Sequence, residues 1–216
     1  MKVVSVNVGM PRDAMWKGLP VWTSIFKESM NGPVMINKLN LTGDSQADLS
    51  VHCGPDKAVY GYPSKHYEYW REQVAGAKLS CGAFGENLTT EGLSESTLCI
   101  GDRLKIGSAV LVVTQPRMPC YKLNLRFGRD DMIERFLVSE RTGFYLSVLQ
   151  TGDVSAGSKI EILQRDPNRV SVTDVVRLYL GYTRDIELLR RAVTVTSLPH
   201  NWRTQLLARA DVGNAP

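Results

Sequence analysis

Short segments of mixed apolar and polar residues, bounded by Gly, Pro, Asn and Asp, make up most of the first three quarters of the chain. Such segments are typical of β-strands joined by turns. Residues 110–114 form an unbroken apolar run, which favours a strand buried on both faces. The strands predicted from this pattern cover residues 3–8, 35–39, 57–62, 103–106, 110–115 and 159–163.

Five segments have a helical pattern instead. Two lie among the strands, at residues 64–73 and 132–140, and three follow the polar stretch 164–168, at residues 172–180, 184–193 and 198–209. Ser171 precedes the first of these three, and Asp174 follows three residues later, an arrangement similar to a capping box. Thr183 is the expected start of the second, with acidic residues in its first turn, where they suit the helix dipole.

This order of elements predicts a mainly β protein with a small helical appendage. Many short strands with Gly turns favour a β-barrel with a few flanking helices over a sandwich. We therefore expect a β-barrel domain at residues 1–164 and a small all-α, three-helix domain at residues 165–216. Three short helices form a small core, so we expect the second domain to dock on the barrel.

Composition and charge narrow the function classes. The 216 residues are 43% hydrophobic and 22% charged, as in ordinary globular proteins, and the formal net charge is +4. The longest basic cluster is the pair Arg190 and Arg191, so no basic stripe indicates a stable nucleic-acid complex. No targeting segment is visible and no apolar run approaches the roughly 20 residues that a membrane span requires. We expect a cytoplasmic protein with no membrane association.

The cysteines have to be judged one by one. The four, Cys53, Cys81, Cys99 and Cys120, include no C-x-x-C pair and match no zinc-site spacing. Without a secretion signal, disulfides are not expected. Cys99 lies in an apolar segment and is predicted to be a core residue, whereas Cys81 lies in a Gly-flanked loop.

Among the cysteines, Cys120 has the sequence context most typical of a reactive or metal-binding thiol. Pro116 and Pro119 bracket the turn before it and hold that turn extended. Arg117 and Lys122 are close in sequence, and nearby positive charge favours the thiolate, the form that binds metals or attacks electrophiles. The alternative, a small buried hydrophobic side chain, is equally compatible with the residues alone.

Two further segments carry candidate binding groups. Residues 43–60 concentrate Asp44, Asp48, His52, Asp56 and Lys57 in a loop that leads to a strand, and loops beside a rigid scaffold are frequent binding sites. A structural histidine bonded to a local carboxylate is the competing interpretation of the imidazole. Residues 84–90 offer a glycine and an asparagine at positions 85 and 87, which suit a turn as well as a site.

These segments resemble the MOSC family, the molybdenum cofactor sulfurase C-terminal domain family, and more closely its YiiM-like branch. The matching stretches are residues 43–67 (GDSQADLSVHCGPDKAVYGYPSKHY), 84–107 (FGENLTTEGLSESTLCIGDRLKIG) and 115–128 (QPRMPCYKLNLRFG). The third is the most specific, and the three-helix tail resembles the helical domain of that branch. Where the family pattern reads His-Gly-Gly, this chain has His52, Cys53 and Gly54.

The resemblance implies a MOSC-type β-barrel with a pocket for the molybdenum cofactor, Mo-molybdopterin. Cys120 is then the ligand of the metal. The catalytic residues that it implies are Cys120, His52 and Asp56. The cofactor-binding residues that it implies are Lys57, Asn87, Arg117, Tyr121 and Lys122. Of these, the lysines and the arginine are expected near the cofactor's phosphate, because such cations suit phosphate oxygens.

The implied activity is reduction of small N-hydroxylated compounds, such as hydroxylaminopurines and amidoximes, to amines or amidines. Since the chain has no flavin or iron–sulfur motif, a separate flavin- or iron–sulfur-containing reductase is the expected electron donor. A homodimer is compatible with these features. We also expect the helical tail to assist docking of the reductase, so that deletion of residues 166–216 lowers reductase-coupled turnover but not dye-driven turnover.

Three alternatives stay open at this stage. A carrier would hold the cofactor, or a persulfide, on Cys120 without turnover of its own. An enzyme with a thiol nucleophile would need a histidine base nearby, and only His52, His66 and His200 exist. An interaction domain with an inert thiol is the third.

Overall fold

The structure is a computed structural model of the chain, and it describes residues 1–47, 54–74, 76 and 79–212, with side chains to residue 209. Strands outnumber helices in this part of the chain. The strands are β1 (Lys2–Val8), β2 (Arg12–Trp16), β3 (Leu19–Thr23), β4 (Glu28–Ser29), β5 (Val34–Ile36), β6 (Val59–Pro63), β7 (Leu88–Glu91), β8 (Arg103–Ile106), β9 (Ala109–Pro116), β10 (Phe144–Gln150), β11 (Gly152–Val154) and β12 (Ile160–Gln164). The helices are α1 (His66–Gln73), α2 (Tyr121–Phe127), α3 (Met132–Val138), α4 (Val172–Leu180), α5 (Ile186–Thr194) and α6 (His200–Val212), and a 3-10 turn covers Pro55–Lys57.

The main sheet has eight strands in the order β12-β8-β9-β10-β6-β7-β1-β4. Neighbouring strands are antiparallel except β6 and β7, which are parallel. β9 lies inside the sheet, and all but one of its residues are buried. The apolar run at residues 110–114 is therefore confirmed as a strand that is covered on both faces.

The expected closed barrel is not seen among the described strands, which form an open series. β1 pairs with β7 on one side and, at its carboxyl end, with β4 on the other. Only its amino end is left to meet the segment before β12, where an isolated bridge joins Lys2 to Lys159. Backbone N–H groups of Val3 and Ile160 donate across this join over 2.9 and 3.0 Å. The sheet-dominated fold with several helices is confirmed, but a continuous closed ladder is not.

Two hydrophobic clusters fill the interior. The first cluster is mainly aliphatic and lies between the sheet and the three tail helices, with members such as Leu104, Leu111, Val175 and Leu198. The second cluster is mainly aromatic and joins α1, α2 and α3 to the loop before β7. Its buried aromatic members are Tyr60, Tyr62, Tyr67, Trp70, Phe84 and Phe136.

The tail helices begin much as the sequence predicts. At α4 the capping box is complete: the Ser171 hydroxyl accepts from the Asp174 N–H over 3.0 Å, and the Asp174 carboxylate accepts from the Ser171 N–H over 2.9 Å. The prediction that α5 begins directly after Thr183 is wrong, because the helix begins at Ile186. Asp185 caps this helix instead, because its carboxylate accepts from the Leu188 N–H over 2.9 Å.

The tail helices share the first cluster with the sheet. Several apolar side chains of the tail, including Val175 in α4 and Leu198 before α6, are fully covered within it. Deleting residues 166–216 therefore removes part of the core, so the deletion cannot separate reductase docking from stability. The division into two domains stays a prediction.

Several elements were missed or misplaced in the sequence prediction. The β2–β3 hairpin, β4, β7, β10, β11 and α2 have no counterpart among the predicted elements. The predicted strand at residues 35–39 ends at Ile36, because residues 37–42 turn back on themselves: the Asn37 N–H donates to the Asn40 carbonyl over 2.8 Å. No helix in the described part of the chain is long and apolar enough to span a membrane.

Candidate functional site

A cleft of about 700 Å³, part of it open to solvent, lies at the amino ends of the parallel strands β6 and β7. The loop after β3, the turn after β9 and the start of β10 complete its walls. Its lining residues include Lys27, Asp44, Lys57, Tyr60, Asn87, Arg117, Met118, Cys120, Lys122 and Tyr145.

Cys120 lies half-buried in the cleft wall, directly before α2. β9 ends at Pro116, and the extended turn that follows ends at Cys120, with φ −124° and ψ 175°. The Cys120 carbonyl accepts the N–H of Leu123 over 2.8 Å, which fixes the backbone that carries the sulfur. Cys81, Cys99 and Cys120 are all thiols rather than disulfides, and Cys99 is buried as predicted.

Arg117 is a buried cation in the same wall, only 7% exposed. Its Nη1 donates to the Phe84 carbonyl over 2.8 Å, and its Cζ lies 5.0 Å from the ring centroid of Tyr60. Burial acts to lower its pKa, but the hydroxyls of Tyr60 and Tyr145 and the thiol of Cys120 outweigh burial and raise the pKa. Arg117 therefore holds a permanent positive charge in reach of the sulfur.

Two tyrosines support this guanidinium. Tyr60 in β6 lies directly across from Tyr145 in β10, and their ring centroids are 5.2 Å apart. The Tyr60 hydroxyl donates to the Thr142 carbonyl over 2.8 Å. Burial raises the pKa of both tyrosines, although Arg117 partly opposes the rise. Both hydroxyls therefore stay protonated at neutral pH.

A buried polar network forms the opposite wall. Asn87 donates through Nδ2 to Asp44 Oδ2 over 2.8 Å and accepts the Tyr60 N–H at Oδ1 over 3.0 Å. Asp44 Oδ1 accepts the N–H of Gly9 over 2.8 Å and forms an ion pair with Lys27. The Asn87 amide thus holds protein groups, and Lys27 and Asp44 line the cleft beside it.

Lys57 and Lys122 add two more cations to the lining. Burial lowers the pKa of Lys57, and the neighbouring Asp56 carboxylate partly opposes this. With Lys27 and Arg117, the described lining has four basic side chains and one carboxylate, that of Asp44. This excess of positive charge suits an anionic ligand.

The structure brings together five of the eight residues to which the resemblance assigned a catalytic or cofactor-binding role: Lys57, Asn87, Arg117, Cys120 and Lys122. Two others do not line the cleft. Tyr121 is 49% exposed on α2, and Asp56 lies in the 3-10 turn, where its carbonyl accepts the Thr114 hydroxyl over 2.6 Å. His52, with Asp48 and Cys53, lies outside the described residues.

Lys27, Tyr60 and Tyr145 were missed by the sequence reasoning. Tyr145 could have been found from the alternation of residues 144–148, which is typical of a strand. No local pattern marks Lys27, because its partner Asp44 is 17 positions away.

No group of three or more His, Cys, Asp or Glu side chains that could hold a metal ion occurs in the described part of the chain. A metal bound at Cys120 would therefore need other ligands, from a cofactor or from residues that the structure does not describe.

Comparison with known proteins identifies the family. The model of the MOSC domain matches residues 48–161, more than half of the chain. The chain belongs to the MOSC domain family. Its similarity to YflK of Bacillus subtilis is 39% identity over 97% of this chain and 94% of that protein. To YiiM of Escherichia coli it is 36% identity over 87% of this chain and 84% of that protein.

The matched region covers every cleft residue from β6 to β10, including Cys120. The crystal structure of YiiM from Geobacillus stearothermophilus superposes with a TM-score of 0.80 at 31% identity, over 97% of this chain and 98% of that one. A protein of Gibberella moniliformis named "Reductase" is 35% identical over 84% of this chain, which corresponds to 32% of its own length. Membership of this family indicates a function related to the molybdenum cofactor.

Proposed function

We propose that this MOSC protein binds the molybdenum cofactor through the thiolate of Cys120 and reduces small N-hydroxylated compounds. The observation that carries the proposal is the half-buried thiol in a cleft whose lining has an excess of basic side chains. The name of the Gibberella relative, "Reductase", supports the oxidoreductase class.

The residues present fit the cofactor. Molybdopterin carries dithiolene sulfurs and an anionic phosphate, so it brings most of the metal's ligands with it and needs one soft protein ligand, which Cys120 can supply. Lys57, Arg117 and Lys122 would hold the phosphate and the other anionic groups.

The net reaction is R–NHOH + 2 e⁻ + 2 H⁺ → R–NH₂ + H₂O. When bound, the molybdenum cofactor supplies the two-electron chemistry. The chain's own residues bind, orient and protonate. The Tyr145 hydroxyl lines the cleft and stays protonated at neutral pH, so it can donate a hydrogen bond to the substrate oxygen. Asp56 and His52 keep their proposed roles at the substrate, although Asp56 would have to act from outside the described lining.

The electrons are proposed to come from a separate flavin- or iron–sulfur-containing reductase. The similarity to the Gibberella protein spans only about a third of that protein, so a longer relative combines a region like this chain with others. The helical tail carries three exposed apolar side chains, Tyr182 after α4, Ile186 in α5 and Leu207 in α6, that a partner can cover. We further propose that residues 1–164 form the cofactor-binding domain, that residues 165–216 form a small domain docked on it, and that the protein is a homodimer.

The proposal is tested by turnover with an artificial electron donor. Protein expressed where the cofactor is made is supplied with a reduced dye, and formation of adenine from 6-hydroxylaminopurine, or of benzamidine from benzamidoxime, is followed. We expect turnover in the wild type and at least a thousandfold loss in Cys120→Ala, with Cys81→Ala as the control. Cofactor-loaded protein that shows no turnover with either substrate would contradict the reductase and leave a carrier.

A further inference from the structure

Glu86 is a fully buried carboxylate between the cleft and the aromatic cluster. Its Oε1 accepts from the Tyr67 hydroxyl, the Gly82 N–H over 2.9 Å and the Thr89 hydroxyl over 2.8 Å. Its Oε2 accepts from the Phe84 N–H over 3.1 Å. Within the part of the chain that the structure describes, no lysine, arginine or histidine forms an ion pair with it.

Burying the Glu86 carboxylate costs stability, and its hydrogen bonds offset only part of that cost. A carboxylate away from water is penalised even when it is hydrogen-bonded, and apolar replacements are often as stable. The charge is felt around it, because Glu86 contributes, after burial, to the raised pKa of Tyr67. The four donors therefore point to a role of Glu86 in the geometry of the loop that supplies them.

The loop that Glu86 organises ends at the cleft cation. Phe84 donates its N–H to Glu86, and the Phe84 carbonyl accepts the Nη1 of Arg117. Gly85, between Phe84 and Glu86 in the chain, has a φ of +77°, which residues other than glycine rarely adopt. Gly85 also lines the cleft. A side chain there would also approach Ile25 to 3.1 Å. The loop is thus bent tightly, and the carboxylate spans the bend.

We propose that Glu86 is a positioning residue for the site: it fixes the bend at residues 82–86 so that the Phe84 carbonyl holds the Arg117 guanidinium beside Cys120. The substrate or cofactor never touches Glu86, which acts only through the loop backbone and Arg117. Its importance for reduction rests on the proposed function, but the placement of the cation does not.

The test measures the local charge at Cys120 in protein without cofactor. Alkylation of the peptide that contains Cys120 is followed by mass spectrometry with two reagents, iodoacetate and iodoacetamide. The ratio of the two rates reports the positive potential at the sulfur, because the fraction of thiolate cancels in the ratio. In Glu86→Gln we expect the ratio to fall about threefold to tenfold, since Arg117 is no longer held close to the sulfur.

Two controls separate positioning from general loosening. Asp102→Asn changes another fully buried carboxylate, which accepts the Cys99 N–H over 3.0 Å and pairs with Arg165 away from the cleft, and it should leave the ratio unchanged. In the background of Arg117→Gln, Glu86→Gln should have no further effect on the ratio. If Glu86→Gln does not fold, Tyr67→Phe removes one of its donors and should lower the ratio in the same direction.

An unchanged ratio in folded Glu86→Gln, or an equal fall in Asp102→Asn, would overturn the proposal. So would a full additional effect in the Arg117→Gln background. Because the cofactor takes no part in this measurement, a failed reductase assay leaves the result standing. Equally, an unchanged ratio leaves the role of Cys120 as metal ligand untouched.

Discussion

The two hydrophobic clusters of this protein differ in the side chains that form them and in the groups that they pack against. Between the sheet and the tail helices, the first cluster is a contiguous aliphatic core in which Leu104, Leu111 and Leu198 are completely covered. Beside the cleft, the second cluster packs tyrosines and phenylalanines around the buried side chains of Glu86 and Arg117. Both are well covered, but the second packs against the charged groups that border the cleft.

The first cluster mainly stabilises the fold, whereas the charged groups beside the second cluster mainly fix the geometry of the site. Aliphatic burial stabilises the fold by about 25 cal/mol per Å² of apolar surface, and this stabilisation does not depend on the direction of the contacts. Hydrogen-bonded charges contribute little net stability, yet they fix the orientation of the groups that they hold. The second cluster is thus the part of the molecule in which stability is given up to aim Arg117 at Cys120.

The largest expected effect comes from the first cluster. Leu104→Ala removes a fully buried side chain from β8 and should lower the free energy of unfolding by about 3 kcal/mol, because it leaves a cavity. Chemical denaturation of wild type and variant measures this. The molybdenum content per folded chain should not change. If it falls together with the stability, the first cluster also affects the site, and the distinction between the two clusters is wrong.

A charge in the second cluster should behave in the opposite way. Arg117→Lys keeps a cation but loses the planar donor that reaches the Phe84 carbonyl. We expect roughly tenfold weaker retention of the cofactor on dialysis, with a smaller loss of stability than in Leu104→Ala. If the variant loses stability but retains the cofactor as wild type does, the role assigned to Arg117 is wrong.

The tyrosine pair permits a finer comparison within that cluster. Tyr145→Phe removes only a hydroxyl that lines the cleft, and turnover should fall about tenfold with the metal content unchanged. Tyr60→Phe should lower turnover less, since the Tyr60 hydroxyl donates to the Thr142 carbonyl. Equal losses of turnover in both variants would indicate damage to packing rather than loss of a donor.

The smallest effect is a pH dependence. Because burial lowers the pKa of Lys57 below its ordinary value of 10.5, the folded protein binds fewer protons there than the unfolded chain does. The free energy of unfolding should therefore rise as pH increases from the folded pKa towards 10.5. Denaturation of wild type and Lys57→Met across this range should show the rise only in wild type; identical slopes would contradict it.

Local patterns predicted the aliphatic region better than the site. The apolar run of β9 and the capping box of Ser171 are short-range signals, and both appear as expected. Cys120, Arg117 and Lys122 were also found locally, since one Pro-flanked segment carries them.

What the sequence did not predict depends on contacts between distant segments. The ion pair of Lys27 with Asp44 joins two loops, and the Tyr60–Tyr145 pair forms only because β6 lies beside β10. The pairing of β1 with β4 likewise could not be anticipated, and with it the open series of strands where a closed barrel was expected.

The central claim, that Cys120 is the protein ligand of molybdenum, is tested most directly by elemental analysis. Wild type, Cys120→Ala and Cys81→Ala, which changes another half-buried thiol, are expressed where the cofactor is made. We predict near-stoichiometric molybdenum in wild type and Cys81→Ala, and little in Cys120→Ala. Equal metal in all three proteins, or none in wild type when cofactor supply is confirmed, would contradict the account.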